Sequence, residues 1–351
     1  MSQAKEFCER WRGLRDGRYY YVLDSGHCNP IAKYATKSVR KYEDEICYYV
    51  EESKIANKTI LEISPATGVE LVNKCVDLPH LTQIERRFLK EWHEYYIPML
   101  KFIKDTTAKG IRVSGVLKPH LEHLPKYPLS FFISYSSDER LKSFEALTRE
   151  VHEVWTALRI LKEFVKEIGF VWFQQSSAKP VARIGNYSLW YEFDFTPHTM
   201  CGGFIQYYCG SFNVERCREP LPQWLLQIWS RAQAILGKSP RELQGLRPDI
   251  VFTQAGSCRD LFKSSTLLIK LIIECKNFDY EYWAEDVEEQ IIAYKKIFQP
   301  EYMVVASLKP VPQDVKNELR SLGIEVIDHV YPGGAGEKQL IEYVKQTLFP
   351  R

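Results

Sequence analysis

Two rhythms of hydrophobic and polar positions run along this chain, one of helical period and one of strand period. Apolar residues recur at helical spacing from Glu145 to Ile168, and Gly169 then offers a C-terminal stop, so a helix is expected over 145–168. Strand-like runs follow at 170–174 and 189–195, then a stretch over 197–220 that reads as an irregular insertion. A helix is expected over 224–236, ending at Gly237, followed by strands near 249–253 and 267–275 and a helix over 282–298. The chain closes as strand 302–308, helix 314–322, strand 324–330 and helix 338–348. Strands alternating with helices of this length predict an α/β domain, its sheet of parallel character and covered by helices.

The first 140 residues are patterned differently, and we read 1–140 and 141–351 as separate domains. Short strand-like runs at 19–23, 58–63 and 129–135 alternate with polar turns, and one longer helix is expected over about 81–104. Its Ile84, Phe88, Trp92, Tyr95 and Tyr96 fall at helical spacing and read as core. This predicts an additional N-terminal α+β region whose role, substrate selection or partner binding, is open. Arg10, Arg12, Arg15, Arg18, Arg40 and Lys41 lie among tyrosines, a mixture able to hold a nucleic-acid strand. Glu6, Glu9, Asp16, Glu43 and Asp44 lie among them too, and a solvated, salt-bridged face is the simpler reading.

Composition narrows the class only a little. A chain of 351 residues, 45% hydrophobic and 26% charged, has material for a substantial core and for two domains. A formal net charge of +2 neither demands nor rules out nucleic acid, since a local basic patch suffices. The first residues are charged and carry no apolar run, and no stretch approaches membrane-span length, so a cytoplasmic protein with reduced thiols and no membrane partner is expected. Of the 9 cysteines, Cys201, Cys209 and Cys217 recur at regular spacing near His198. The tight pairs that mark zinc sites are missing, and incidental free thiols are the expectation.

The chemistry concentrates in Leu267–Lys276, LLIKLIIECK. Alternation puts Leu267, Ile269, Leu271, Ile273 and Cys275 on one apolar face and Lys270, Ile272, Glu274 and Lys276 on the other. An acid and a lysine two positions apart at the end of an apolar strand are costly unless both are paired or bound. Upstream, Asp249 follows Pro248 at the start of a strand-like run, where a missing N–H does no harm, and the loop 254–265 lets the chain turn back. Asp249 and Glu274 are thus expected on adjacent strands, within reach of one cation.

Pro248-Asp249 followed by Glu274-Cys275-Lys276 resembles the PD-(D/E)xK signature of the restriction-endonuclease-like nuclease superfamily, and the element order from Glu145 is similar to that family's core. Gln290-Ile291-Ile292-Ala293-Tyr294 resembles the QxxxY element of its RecB-like branch, although Tyr294 also completes an apolar stripe with Trp283, Val287, Ile291 and Phe298. The resemblance covers roughly 145–330. It implies a mixed sheet flanked by helices and a Mg²⁺- or Mn²⁺-dependent hydrolysis of phosphodiester bonds in DNA, with RNA left open. It implies metal ligation by Asp249, Glu274 and the Cys275 carbonyl, a catalytic Lys276 that orients or deprotonates the attacking water, and Gln290 holding that water or a phosphate oxygen. The family also places an acid on its first core helix. Glu153, in Glu153-Val154-Trp155, is the expected ligand, with Glu150 second and the strand-borne Glu192 an outsider. Many such nucleases act as homodimers, but no interface is legible here.

Two other readings compete with an active deoxyribonuclease. A catalytically silent nucleic-acid-binding or scaffolding protein on the same fold would lack metal-dependent cleavage. A carboxylate-pair glycoside hydrolase would leave Lys276 and Gln290 unexplained.

Overall fold

In a computed structural model of the chain, residues 22–24, 27–29, 48–55, 58–65, 91–118, 121, 137–173, 179–196, 221–238, 245–254, 256 and 258–350 are described. The strand expected at 129–135, the helix start at 81–90, the basic residues Arg10, Arg12, Arg15, Arg18, Arg40 and Lys41, and the insertion with Cys201, Cys209, Cys217 and His198 lie outside them. The chain divides into two compact units, residues 1–102 with 115–151 and residues 103–114 with 152–351.

In the first unit, β1 (Val22–Asp24) pairs antiparallel with β2 (His27–Asn29), and β3 (Tyr48–Ile55) with β4 (Lys58–Pro65). A π-helical turn, Trp92–Tyr96, leads into α1 (Ile97–Thr106), whose last residues, from Ile103, count with the second unit. Trp92 and Tyr96 are buried with ring centroids 5.8 Å apart, whereas Tyr95 is half-buried.

The second unit is built on a six-stranded mixed sheet flanked by helices, with strand order β12-β11-β10-β9-β8-β7. Its strands are β7 (Ala182–Ile184), β8 (Tyr187–Tyr191), β9 (Ile250–Thr253), β10 (Ile269–Lys276), β11 (Tyr302–Ser307) and β12 (Glu325–Ile327). The β10, β11 and β12 ladders are parallel, and those from β7 to β10 are antiparallel. The parallel half follows from the helical crossovers between those strands. The antiparallel half begins with a tight hairpin at Gly185-Asn186, where Gly185 adopts φ 58°. The alternation pattern passes over β7, because three residues are too few to show a period.

The long helix α2 (Ser137–Phe164) starts earlier and ends earlier than the apolar period predicts. Ser137-Asp138-Glu139 is a polar helix-start signature that an apolar count overlooks. After Phe164 the chain leaves the helix so that β6 (Val171–Trp172) can pair in parallel with β5 (Ile111–Arg112), a small sheet apart from the main one. The loop expected between β9 and β10 contains a short helix, α4 (Cys258–Lys263), which follows α3 (Gln223–Leu236) in the chain. Gly237 does end α3, in the left-handed conformation at φ 67°.

Beyond β10 the chain is π-helical over Val287–Ile292 and continues as α5 (Ala293–Phe298), followed after β11 by α6 (Gln313–Ser321) and after β12 by α7 (Ala335–Leu348). Trp190, Val251, Ile272, Met303, Val305 and Val326 on one sheet face pack with Trp224, Ile228, Ile291, Ile297 and Leu319 from α3, α5 and α6 and the π-helical turns. The opposite face takes α7, which packs on β10, β11 and β12. Helix α2 is tied to α7 by Arg159–Glu337 and Glu163–Lys345 ion pairs, and to the chain after β12 by the buried His152, whose Nε2 lies 3.0 Å from the Val330 carbonyl. Among the described residues no helix is long and apolar enough to cross a membrane.

Strand β10 departs from simple alternation. Its register against β9 shifts between Ile269 and Leu271, so Ile269 joins Ile272 in the core beneath α3 and α5 instead of sharing a face with Leu271 and Ile273. All eight of its residues are buried, as befits a strand with a neighbour on each side and helices on both faces.

Candidate active site

The end of β10 and the start of β9 bring the predicted acids together. Ile272 pairs with Val251 and Ile273 with Ile250, so continuing the register sets Glu274 opposite Asp249. Alternation from Val251 and Ile272 puts both carboxylates on the α5 side of the sheet. The two residues hold each other. The Asp249 backbone N–H donates to Glu274 Oε1 at 3.3 Å, and the Cys275 N–H donates to Asp249 Oδ2 at 2.7 Å.

Glu274 is fully buried, and its Oε2 makes no hydrogen bond among the described residues. Burial, and next the Asp249 carboxylate, hold the Glu274 carboxyl well above the usual range, with Lys276 offsetting only part of this. Two carboxylates face each other there with an oxygen left over, an arrangement that a divalent cation relieves. Hard oxygen donors select Mg²⁺ or Mn²⁺, so Asp249 and Glu274 fit such an ion. They supply two donors only, and among the described residues no group of three or more His, Cys, Asp or Glu side chains is arranged to hold a metal.

Lys276 lies two residues on, its ammonium 2.5 Å from Asp286 Oδ2 and 2.7 Å from Gln290 Oε1. Asp286 and Gln290 are four residues apart, one turn along the same helical segment, so both reach one strand-borne lysine. One turn beyond Gln290, the Tyr294 hydroxyl donates to the Gly245 carbonyl and accepts from the Arg247 N–H at 3.1 Å. Burial pushes the Tyr294 hydroxyl's pKa upward, which keeps it a donor. Tyr294 is therefore both core and tether: its ring packs on Phe298 and its hydroxyl fixes the segment that delivers Asp249.

Glu153 occupies a different position. It is buried, accepts from the Tyr191 hydroxyl at 2.8 Å, and lies on the α2 side of the sheet, where Cys275 also points. Burial, and then the charges of Asp249, Glu153 and Glu274, push the Cys275 thiol well up, which makes it an inert core thiol. Glu150 is half-buried, one turn earlier. Glu192 is buried at the end of β8, where its N–H donates to the Asp249 carbonyl at 2.7 Å.

The structure thus brings together Asp249, Glu274, Lys276 and Gln290, and sets Glu153 behind Cys275 on the other face. Sequence reasoning missed Asp286 and Tyr191. The signal for Asp286 was its i, i+4 spacing to Gln290; for Tyr191, a tyrosine on a strand beside the β9 pair, no sequence signal stood out. The chain matches no family model, no curated protein and no solved structure.

Proposed function

We propose that the chain is a metal-dependent nuclease of the PD-(D/E)xK kind that hydrolyses phosphodiester bonds in DNA as an endonuclease. One observation carries this reading: a buried, mutually locked carboxylate pair on adjacent strands, with an unsatisfied Glu274 oxygen and with Lys276 two residues on. Asp249 and Glu274, with the Cys275 carbonyl, would hold Mg²⁺ or Mn²⁺. That ion, when bound, would lower the pKa of a bound water and offset charge at the phosphate. Lys276 would orient the attacking water and donate to a phosphate oxygen, exchanging its contact with Asp286 for substrate. Gln290, already on the lysine, would hold the water or the same oxygen. Glu153, held by the Tyr191 hydroxyl on the other face of the sheet, would stay outside that ligand set.

One observation favours the second reading, a catalytically silent binding protein: no three-ligand group is assembled among the described residues, and Lys276 is engaged by Asp286. A cleavage assay separates the two. Labelled single-stranded, double-stranded and branched DNA, and RNA, are incubated with Mg²⁺, Mn²⁺ or EDTA. We expect cleavage that needs metal, falls by at least about a hundredfold in Lys276→Ala, and is weakened but kept in Glu153→Ala and Glu150→Ala. Binding without cutting on every substrate would establish the silent protein instead.

A further inference from the structure

Beside the carboxylate pair sits an ion pair that the reaction scheme does not use. Arg247 precedes Asp249 by two residues, and its Nε lies 3.3 Å from Glu192 Oε1. The two partners differ in environment: the Glu192 side chain is 8% exposed and that of Arg247 30%. The two terminal guanidinium nitrogens of Arg247 make no hydrogen bond to the described residues. A planar five-donor fork held by one edge has its remaining edge free for a tetrahedral oxyanion.

The backbone around this pair is held from both sides. The Glu192 N–H donates to the Asp249 carbonyl at 2.7 Å and the Phe195 N–H to the Leu246 carbonyl at 2.9 Å, which keeps 192–195 alongside 246–249. Glu192 itself adopts φ 41°, a left-handed conformation uncommon for a residue with a side chain. Such strain persists only where surroundings over-determine it, and it clusters at ligand-binding positions. On the other side the Arg247 N–H is bound by the Tyr294 hydroxyl, on the same helical segment whose Gln290 accepts from Lys276. One helical segment thus registers both the arginine backbone and the lysine proposed to act on the phosphate.

We infer that Arg247 is a phosphate-binding arm of this site, and that Glu192 is the positioning residue that holds it until a DNA phosphate competes for the guanidinium. The inference rests on the reading of the site as one for nucleic acid, although it does not require cleavage. A phosphodiester meets the free edge of the fork, the single Nε contact at 3.3 Å is given up or shared, and Glu192 stays with its backbone on Asp249.

The test is equilibrium binding of the full chain to a labelled DNA duplex of about 20 base pairs, in Ca²⁺ or EDTA, over about 50–200 mM NaCl. Arg247→Ala and Arg247→Gln, the latter retaining side-chain bulk, are expected to bind about tenfold more weakly. Both should also flatten the dependence of log K on log salt by about one unit, which a purely structural loss would not do. Arg247→Lys should restore the slope but only part of the affinity, since it lacks the fork. Glu192→Gln, which keeps a hydrogen-bond acceptor but removes the competing charge, should bind at least as tightly as wild type. Wild-type affinity and slope in Arg247→Ala, or weakening of Glu192→Gln in parallel with it, would overturn the inference. A wild type that binds DNA but cuts none would sink the nuclease reading and leave this assignment standing. A wild type that cuts while Arg247→Ala binds normally would do the reverse, and no DNA binding at all would overturn both.

Discussion

Glu274 stands where a carboxylate is least stable, fully buried, opposite Asp249 and with one oxygen unsatisfied. Proteins keep such a group where it serves a ligand, and stability is sacrificed for it. Glu274→Gln removes the repulsion while keeping the shape. We expect it to stabilise the metal-free protein by about 1 kcal/mol, a rise of about 2–4 °C in melting temperature, while abolishing cleavage. Mg²⁺ should raise the melting temperature of wild type and not of the variant; the same rise in both would place the ion elsewhere. The identities of this pair and of Lys276 were legible because a carboxylate or ammonium in an otherwise apolar strand is conspicuous. The Glu192 backbone was not, because a left-handed φ at a non-glycine residue leaves no mark in the sequence.

Among the elements, the helical segment after β10 does most to assemble the site. Its first half is π-helical over Val287–Ile292, a rare geometry found often at functional sites, and it carries Gln290 between Asp286 and Tyr294. Tyr294→Phe should lower stability by about 1 kcal/mol, read by urea denaturation, because the Gly245 carbonyl loses its donor. It should also reduce cleavage, because the Asp249 segment loses its tether; unchanged activity would make Tyr294 core only. The apolar stripe predicted a helix here, but not its wider first turns, which change spacing too little to show in the pattern.

On the α6 side, Asp328 after β12 accepts from Lys316 and from the Val311 N–H. Burial alone would raise its carboxyl, but those two partners outweigh it and hold the pKa below the ordinary aspartate value. A carboxylate whose folded-state pKa is depressed adds stability that is full above its unfolded value of about 4 and is lost as pH falls through the lower folded value. Asp328→Asn is therefore expected to cost about 1 kcal/mol at neutral pH, after discount for solvent screening, and nothing in strong acid. A pH-independent difference would mean that the hydrogen bonds, not the charge, hold the joint.

For the whole molecule, the order of elements from α2 onward read correctly apart from β7 and α4, and the sheet is mixed and flanked by helices as the resemblance implies, where periodicity alone gave only parallel character. Periodicity reports which residues face a core and says nothing of strand direction, which the connections decide: a hairpin at Gly185-Asn186 and the short loop with α4 give antiparallel pairs, and the helical crossovers give parallel ones. The pairing of β6 with β5, a strand from before residue 115, was equally invisible. A chain cut to 141–351 lacks β5, and we expect it to melt below one cut to 103–351; equal melting temperatures would show that the small sheet adds nothing.

Asp249 and Glu274 together would form a site for a hard divalent cation. Mn²⁺ binding to the metal-free chain, followed by electron paramagnetic resonance as free Mn²⁺ disappears, tests it directly. Saturable binding is expected for wild type, abolished in Asp249→Asn and in Glu274→Gln but retained in Lys276→Ala. No binding by wild type, or binding undiminished in both carboxylate variants, would contradict it.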